Sequence, residues 1–528
     1  MFASVNLGGT LLTKADRKLI AEHGLDAKEV ERQIELFKRG VTHAELLRPC
    51  VIDNGIVRIA PAEEPALIQA FSRAADAGRI SKFVPASGAA TRMFRDLMTV
   101  YKAYPNLSIG TLEERAHAKE SAAVFALRFM RNLAKFAFYP ELKQALKDDG
   151  YDLDELLQAG DARTILQYLL TDKGLGFSEL PKGMVLFHRH TDRAHTPFEE
   201  QVLEGIELVS DAEGVVRIHF TVPPEHHESI DGALRNFIEE YVGEDFEVVL
   251  EYSVQKPSTD TIAVTPDNEP FRGNDENLLF RPGGHGALLD NLNDLDADIV
   301  LIKNIDNVVP RPAASDKLFR KKVLAGYLVQ LQDQIHRYLK ELESKTLKGE
   351  AIDEMRDFVH DHLHLSLPAG FDDWALDRKK EWMMNRLHRP LRVCGMVPNT
   401  GEPGGGPFWV RDAEGNESAQ IIETSQINLE DSKQRGYLEA ATHFNPVDLV
   451  CGLRDHKGRK YDLHAYSDPE AVFISNKSHE GKPLRALELP GLWNGAMAHW
   501  NTVFVEVPQH TFTPVKTVND LLREEHRS

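Results

Sequence analysis

The feature that most constrains the fold is an alternation of strand-like and helix-like segments between about residues 80 and 306. Short apolar runs such as KFVPAS, VVRIHFTV, FEVVLEYSV and DIVLIKNID are separated by amphipathic stretches such as TPFEEQVLEGIELV and PEHHESIDGALRNFIEEY. Strand–helix–strand units of this kind place successive strands parallel and cover the sheet with helices. We therefore expect an α/β fold in which a mostly parallel mixed sheet carries helices on both faces.

Helical and strand-like sequence patterns divide the rest of the chain into regions. Thr13 is a candidate helix N-cap and Gly40 a helix stop signal, which favours helical structure at the start of the chain. Long helical patterns interrupt the alternating core twice, and strand-like segments dominate its last part. The predicted division is a helical N-terminal region (1–80), a core (81–510), helical insertions (about 112–170 and 317–388) and a C-terminal segment (511–528).

Charge and composition exclude several classes of protein. The formal net charge of −20 argues against a nucleic-acid or anionic-membrane partner, because both would repel the chain. The cysteines, Cys50, Cys394 and Cys451, form no CxxC pair, so neither a disulfide framework nor a cysteine-rich zinc site is expected. The sequence shows no signal-like N-terminus and no apolar run of about 20 residues, which predicts a cytoplasmic protein without a membrane partner.

The loop PASGAATRMF, residues 85–94, follows the first predicted strand of the core and leads into a helix. Small residues let backbone N–H groups approach an anion, the helix start adds a partial positive charge, and Arg92 adds a full one. In an open parallel sheet, loops of this kind line the ligand crevice at the carboxyl ends of the strands. The loop is therefore predicted to bind phosphate, and the alternative is a capped turn with an exposed arginine.

Three further loops carry polar or glycine-rich sequences. Lys182 lies in LPKGM at a predicted strand start, where its ammonium can reach the same phosphates. The turn RPGGHGALL opens into a helix but lacks GxGxxG spacing, which argues against a nicotinamide dinucleotide site. The strand in LIKNIDNVV ends near Asp306, whose carboxylate suits a magnesium ion shared with substrate phosphates. A solvated turn is the alternative interpretation of that last loop.

Histidines cluster in two stretches of the chain. The stretch FHRHTDRAH contains His188, His190 and His195, and the stretch VHDHLHL contains His360, His362 and His364. On a helix, His360 and His364 would share one face and could bind a metal. A metal-dependent hydrolase that uses these clusters is therefore an alternative function, although exposed helix-face histidines are the more common interpretation.

Taken together and in order, the loops resemble motifs of the UDP-sugar pyrophosphorylases, which are nucleotidyltransferases that make nucleotide sugars. PASGAATRMF resembles the glycine-rich L-x-G-G-x-G-T-R loop of that family, PKGM its K-G-M element, and PGGHGAL its P-P-G-H-G turn. KNIDNVV resembles the strand that ends in V-D-N, and HTFTPVKTVNDLL resembles the F-S-P-L-K-N element. The likeness covers roughly residues 80–525 as scattered motifs. End to end, the chain also resembles a bacterial family known only as a domain of unknown function.

The resemblance implies a GT-A-like nucleotidyltransferase core that depends on Mg²⁺, with Asp306 as a metal ligand. It implies catalytic roles for the cationic side chains of Arg92, Lys182 and Lys516. It places the nucleotide at Ser87, Gly88, Ala89, Ala90, Thr91, Gln255, Gly284, His285 and Gly286, and the sugar at Glu423 and Asn494.

The implied reaction is the reversible formation of a nucleotide sugar and pyrophosphate from an NTP, UTP being favoured, and a sugar 1-phosphate. Ala90 and Phe94 stand where the family has glycines, and either would strain a loop that required a positive φ there. This departure leaves open a catalytically silent protein that binds nucleotide sugars. The metal-dependent hydrolase and a glycosyltransferase on the same type of core are the remaining alternatives.

Overall fold

The structure, a computed structural model, describes residues 12–527 except 345, 346, 348, 402, 403, 413 and 414. Its helices are α1 (Lys14–Glu22), α2 (Ala27–Arg39), α3 (Glu64–Asp76), α4 (Arg95–Ala103), α5 (Ile109–His117), α6 (Ser121–Arg131), α7 (Tyr139–Asp148), α8 (Leu153–Ala159), α9 (Ala162–Leu170), α10 (Pro197–Val209), α11 (His227–Tyr241), α12 (Leu288–Asp294), α13 (Arg311–Glu343), α14 (Gly349–Asp361), α15 (Leu376–Leu387) and α16 (Ser432–Glu439). Within this described part of the chain, no helix combines the length and apolar character needed to cross a bilayer.

The strands are β1 (Glu45–Pro49), β2 (Val51–Ile52), β3 (Gly55–Val57), β4 (Ile80–Pro85), β5 (His188–Arg189), β6 (Ala194–His195), β7 (Val215–Thr221), β8 (Glu247–Ser253), β9 (Thr261–Val264), β10 (Phe280–Arg281), β11 (Ile299–Lys303), β12 (Leu391–Pro398), β13 (Gly405–Arg411), β14 (Glu417–Glu423), β15 (His443–Phe444), β16 (Asp448–Gly452), β17 (Phe473–His479), β18 (Lys482–Glu488) and β19 (Asn501–Glu506). They form a ten-stranded sheet, a four-stranded sheet (β10-β9-β18-β17), a three-stranded sheet (β1-β13-β14) and the hairpin β5-β6.

The ten-stranded sheet has the order β2-β3-β19-β12-β16-β11-β4-β7-β8, with β15 paired to β12. Along this order, neighbours run parallel except at β16, which is antiparallel to both β12 and β11. The register places Ile302 beside Phe83 and Val84 beside Phe220. The carboxyl ends of β4, β7, β8, β11, β12 and β19 therefore lie at one edge, which we call the carboxyl edge. The predicted mixed α/β fold is confirmed.

The two faces of the central sheet are covered differently. On one face, Val84 and Leu301 belong to a core built with α3, α10, α11 and α13. On the other face, Phe83 packs with residues of α12 and with Trp409 and Ile421 from the three-stranded sheet. Helices alone were expected on both faces, but on the second face strands β13 and β14 supply much of the cover.

A second core lies within helices α4–α9, which include the stretch predicted as the first helical insertion. Phe136 stacks on Phe138 at 5.1 Å between ring centroids, and Phe138 meets Phe177 edge-on at 5.3 Å. Val515 and Val518 from the C-terminal segment belong to the same core. The helical unit therefore anchors a segment that also reaches the carboxyl edge of the sheet.

The first 80 residues are less helical than the sequence predicts. Thr13 caps α1 through a capping box with Asp16, and Gly40 ends α2, as the residue types indicate. However, β1–β3 follow these helices, and β2 and β3 extend the central sheet. The prediction missed β2 and β3 because strands of two or three residues are too short to show a periodic pattern, and it missed β1, which pairs with the distant strand β13.

Candidate functional site

The loop between β4 and α4 is fixed by the segment that precedes β5. The N–H of Ala90 donates to the carbonyl of Leu180 (3.0 Å), and the N–H of Lys182 donates to the carbonyl of Gly88 (3.0 Å). The predicted phosphate-binding residues Ser87, Gly88, Ala89, Thr91 and Arg92 are exposed. An exposed loop of small residues with a fixed backbone and one arginine is suited to bind an anion.

Ala90 and Phe94, which replace glycines of the resembled motif, take ordinary backbone conformations. Phe94 has a φ of −104°, and Ala90 is not among the residues with positive φ. Both side chains are fully buried, and Phe94 packs 5.8 Å from the ring of Phe177. The loop therefore follows a path, through a short 3₁₀ turn at Ala90–Arg92, that does not require glycine at either position.

Lys182 is not at a strand start, as the sequence predicts, but in a 3₁₀ turn that spans Lys182–Met184. The prediction was wrong because the apolar run GMVLFH pairs as a strand only at its end, where β5 begins at His188. The ammonium of Lys182 forms an ion pair with the carboxylate of Asp306. Asp306 lies just after β11, so two predicted site residues meet at the carboxyl edge.

The C-terminal segment brings Lys516 to the same place. The N–H of Val515 donates to the carbonyl of Asp306 (3.1 Å), and the N–H of Val518 donates to the carbonyl of Met93 (3.2 Å). Lys516 lies between these two anchors, and its side chain is exposed. The backbone segments that carry Arg92, Asp306 and Lys516 are therefore hydrogen-bonded neighbours.

A second cluster of predicted residues forms around His285. Its ring stacks on Trp493 with 4.3 Å between centroids, and its Nδ1 accepts a hydrogen bond from the N–H of Leu492 (3.1 Å). A neutral imidazole whose Nδ1 accepts carries its proton on Nε2. That Nε2 lies 3.5 Å from Oε1 of Glu423, at the end of β14. One predicted nucleotide residue, His285, and one predicted sugar residue, Glu423, thus meet here.

Two glycines allow the turn at His285 to take its shape. Gly284 has a φ of +74°, which residues other than glycine rarely adopt. A Cβ atom on Gly286 would lie 2.3 Å from the carbonyl oxygen of Pro490. A larger residue at either position would therefore strain the turn that carries His285.

Two amides among the predicted binding residues leave a polar atom unsatisfied. Nδ2 of Asn494 donates to the carbonyl of Ile421 (3.0 Å), but its buried Oδ1 has no hydrogen-bond partner among the described residues. The residue Gln255 follows β8. Its buried Nε2 also has no hydrogen-bond partner in the described part of the chain. Buried polar atoms of this kind are costly unless water or a ligand satisfies them, so both positions are suited to receive one.

Sequence reasoning missed a buried group of charges that adjoins the site. It consists of Lys82, Lys303, Lys317, Lys321, Glu204 and Asp448. Lys82 and Lys303 both pair with Glu204, and Lys321 pairs with Asp448. Lys317 donates to Oγ1 of Thr513 (2.5 Å), three residues before Lys516 in the chain. Three of the four lysines therefore pair with two carboxylates, and Lys317 contacts a hydroxyl instead.

Burial controls the ionisation of this buried charge group. Loss of solvation lowers the pKa of Lys82 to about 7 and that of Lys317 to about 7. Burial alone would raise the pKa of Glu204, but Lys303 and Lys82 hold it well below its usual range. A single lysine inside each of the apolar strands ISKFVP and DIVLIK was the signal that could have revealed the group.

The alternative of a metal site at His360 and His364 does not fit the geometry of this region. Helix α14 ends at Asp361, so His364 lies beyond the helix, with a φ of 50°, and does not share a helical face with His360. His360 is exposed, and its Nδ1 lies 2.7 Å from the carboxylate of Asp361. The hypothesis of a hydrolase built on this pair therefore loses its structural basis.

Among solved structures, the chain aligns with UDP-sugar pyrophosphorylases. A UDP-glucose pyrophosphorylase from Leishmania major aligns with a TM-score of 0.45 at 12% identity, covering 99% of this chain and 80% of that one. A UDP-N-acetylglucosamine pyrophosphorylase from Trypanosoma brucei, in complex with an inhibitor, gives a TM-score of 0.44 at 13% identity over 97% and 79%. Likeness at this level does not assign an activity, and no curated protein matches the chain significantly. Residues 13–527 match the family described as Domain of unknown function (DUF4301), and the chain belongs to that family.

Proposed function

We propose that this chain is a nucleotidyltransferase that forms a nucleotide sugar and pyrophosphate from an NTP, UTP being favoured, and a sugar 1-phosphate, with Mg²⁺ on a GT-A-like core. The observation that carries the proposal is the meeting of four hydrogen-bonded segments at the carboxyl edge, which supply Arg92, Lys182, Asp306 and Lys516. The reaction requires two polyanions to be held side by side. Cationic groups gathered from distant parts of the chain serve that need.

The cationic residues bind different parts of the substrates. The exposed backbone of residues 87–89 and 91 and the guanidinium of Arg92 hold the β- and γ-phosphates, while Lys182 and Lys516 approach from the neighbouring loops. Ala90 supports the loop from inside, because it is buried and its N–H is bonded to Leu180. An oxygen of the sugar 1-phosphate attacks the α-phosphorus in line. A new P–O bond forms as the bond to the α–β bridging oxygen breaks, and pyrophosphate leaves with that oxygen. The cations lower the barrier because they neutralise charge that spreads over the phosphoryl group.

Asp306 is the residue that would hold Mg²⁺. Its carboxylate lies beyond a buried strand and faces the cationic loops, as its ion pair with Lys182 indicates. Mg²⁺ in nucleotide sites is held by one or two carboxylates together with phosphate oxygens and water, so this position fits the ion. When bound, the ion polarises the phosphates. An ion at Asp306 would take the place of the Lys182 ammonium, which would then be available to a phosphate oxygen.

The cluster around His285 serves the recognition of base and sugar. The carboxylate of Glu423 accepts hydrogen bonds from sugar hydroxyls, and the unsatisfied Oδ1 of Asn494 accepts another. The unsatisfied Nε2 of Gln255 donates to a carbonyl of the base. These assignments use polar atoms that the described part of the protein leaves exposed to a ligand or without a partner.

Release of pyrophosphate tests the proposal directly. Each NTP is incubated with each member of a panel of sugar 1-phosphates and Mg²⁺, and pyrophosphate is measured enzymatically. We expect release with at least one pair, strongest with UTP, and none with the NTP alone. An absence of release across the whole panel from folded protein would contradict the proposal.

A catalytically silent protein that binds nucleotide sugars is the second candidate. The observation that favours it is the ion pair itself, because Lys182 already satisfies the carboxylate that Mg²⁺ would need. This candidate predicts that calorimetry detects binding of a nucleotide sugar while no pyrophosphate forms in the assay above.

A further inference from the structure

The hairpin β5-β6 and the start of α10 bring histidines and a glutamate together. His188 lies in β5, His190 follows it, and His195 ends β6. Thr196 then caps α10 through a capping box with Glu199, which sets Glu200 in the first turn of the helix. Eleven consecutive residues, 190–200, therefore place three potential metal ligands around one point.

The ligand atoms of this group have the spacing that a metal ion requires. One ligand atom from each of His190, His195 and Glu200 lies within 4.8 Å of the others. Nε2 of His190 is 2.8 Å from Oε1 of Glu200, and the two histidine rings stack at 3.8 Å. Tetrahedral zinc holds nitrogen and oxygen ligands at about 2.0–2.2 Å, so two ligands of one ion lie no more than about 4.4 Å apart, which is close to the spacing in this group.

His195 is the residue whose surroundings require a ligand. Its side chain is only 3% exposed, and neither ring nitrogen has a hydrogen-bond partner among the described residues. The rings of Phe237 and Tyr241 meet it edge-on at 5.3 and 5.5 Å. A buried imidazole without a partner on either nitrogen is costly, and coordination of one nitrogen removes part of that cost.

Neighbouring groups hold the carboxylate of Glu200 in place. Glu200 is 3% exposed, and Nδ1 of His188 lies 2.9 Å from the same Oε1 that His190 contacts. His188 is held in turn through its Nε2, which lies 3.0 Å from Nδ1 of His526. Contacts of this kind orient the ligands of metal sites. The nearby cation Arg193 is neutralised by Glu199 at 2.7 Å.

We propose that His190, His195 and Glu200 bind one divalent transition-metal ion, with Zn²⁺ best suited to two imidazoles and a carboxylate. The partly exposed side of the site, at His190, leaves a fourth position for water. The ion joins the hairpin to α10. The next residue of that helix, Gln201, donates to the carbonyl of Asn304 (3.1 Å), beside the loop that carries Asp306. The metal therefore has a structural role, separate from Mg²⁺ at Asp306.

Metal titration of the full chain tests this proposal without nucleotide or Mg²⁺. Protein stripped with a chelator is titrated with Zn²⁺ against a chromophoric competitor, and with Co²⁺ while the visible spectrum is recorded. We expect one tight Zn²⁺ per chain, d–d absorption typical of low-coordinate Co²⁺, and a higher melting temperature with Zn²⁺. If the native chain shows no tight Zn²⁺ site, or no such absorption with Co²⁺, the proposal is wrong irrespective of the results with the variants.

Variants locate the site. His190→Ala is preferred because His190 is partly exposed, and Glu200→Gln removes the charged ligand; each is expected to weaken Zn²⁺ binding about tenfold or more. His360→Ala, an exposed histidine, and His388→Ala, from the separate His388–Asp455–His456 group, are controls that should leave binding unchanged. The assignment is wrong if His190→Ala binds Zn²⁺ with unchanged affinity, or if only His388→Ala loses Zn²⁺ binding. Pyrophosphate release is measured separately, so failure of one proposal does not imply failure of the other.

Discussion

Lys182 and Asp306 form an ion pair although 124 residues separate them in the chain. Lys182 comes from a turn that is bonded to the loop after β4, and Asp306 follows β11, the strand that pairs with β4. Parallel pairing of these two strands brings their carboxyl ends together. A cation and a potential metal ligand therefore meet beside Arg92 and the Lys516 segment.

Replacement of Asp306 by Asn should raise the Mg²⁺ concentration needed for half-maximal activity by about tenfold or more, because a neutral amide is a poorer ligand for a hard cation. Activity is measured by pyrophosphate release across a Mg²⁺ titration. Asp148→Asn, on the exposed surface of α7, is the matched control. An unchanged titration in Asp306→Asn would remove this residue from the metal site.

Replacement of Arg92 by Ala should lower turnover about 10²- to 10³-fold, because one preorganised charge on the phosphates is lost. The side chain is exposed, so the melting temperature should stay near that of the native chain. Arg73→Ala, an exposed arginine on α3, provides the comparison. Native turnover in the Arg92 variant would refute the phosphate role of the loop.

Replacement of Lys516 by Ala should impair catalysis more than replacement of Lys340, an exposed lysine of α13. We expect this difference because backbone hydrogen bonds on either side of Lys516, to Asp306 and Met93, hold it at the candidate site. The two variants are compared by kcat/KM for both substrates. Equal values would show that the Lys516 ammonium takes no part.

The buried Lys317 should make stability depend on pH. Burial lowers its pKa to about 7, whereas the unfolded chain keeps the ordinary value of 10.5. Between these values the unfolded state binds more protons, so the contribution of Lys317 to stability rises with pH. The difference in the free energy of unfolding between the native chain and Lys317→Met should therefore rise in favour of the native chain by up to about 1.4 kcal/mol per pH unit between about pH 7 and 9. Urea unfolding of both proteins measures this difference, and parallel pH profiles would contradict it.

Much of the fold was predictable because its elements are long and locally coded. The apolar periodicity of residues 196–209 matches α10, and Thr13 and Gly40 mark helix ends where the structure has them. The mixed sheet follows from the alternation of strands and helices. The two-residue strand β2 and the sheet cover of the second face were not predictable. Strand β2 is joined to the central sheet through β3 and the distant strand β19, and β13 and β14 cover the sheet by packing against residues far away in the chain.

Some features of the candidate site could likewise be predicted from the sequence, and others could not. The residue types of the loop at 85–94 and of Asp306 indicated anion and cation binding, and the structure places them together, while their catalytic roles remain predictions. The ion-pair partners of the buried lysines and the aromatic surroundings of His195 could not be predicted from the sequence. Local sequence determined which segments become helices and strands and which loops carry charge, because those properties depend on neighbours in the chain. Tertiary structure alone decided that Lys182 meets Asp306, that Lys303 and Lys82 share Glu204, and that His285 stacks on Trp493. Burial and the distance between charges set these interactions, and both quantities exist only once the chain has folded.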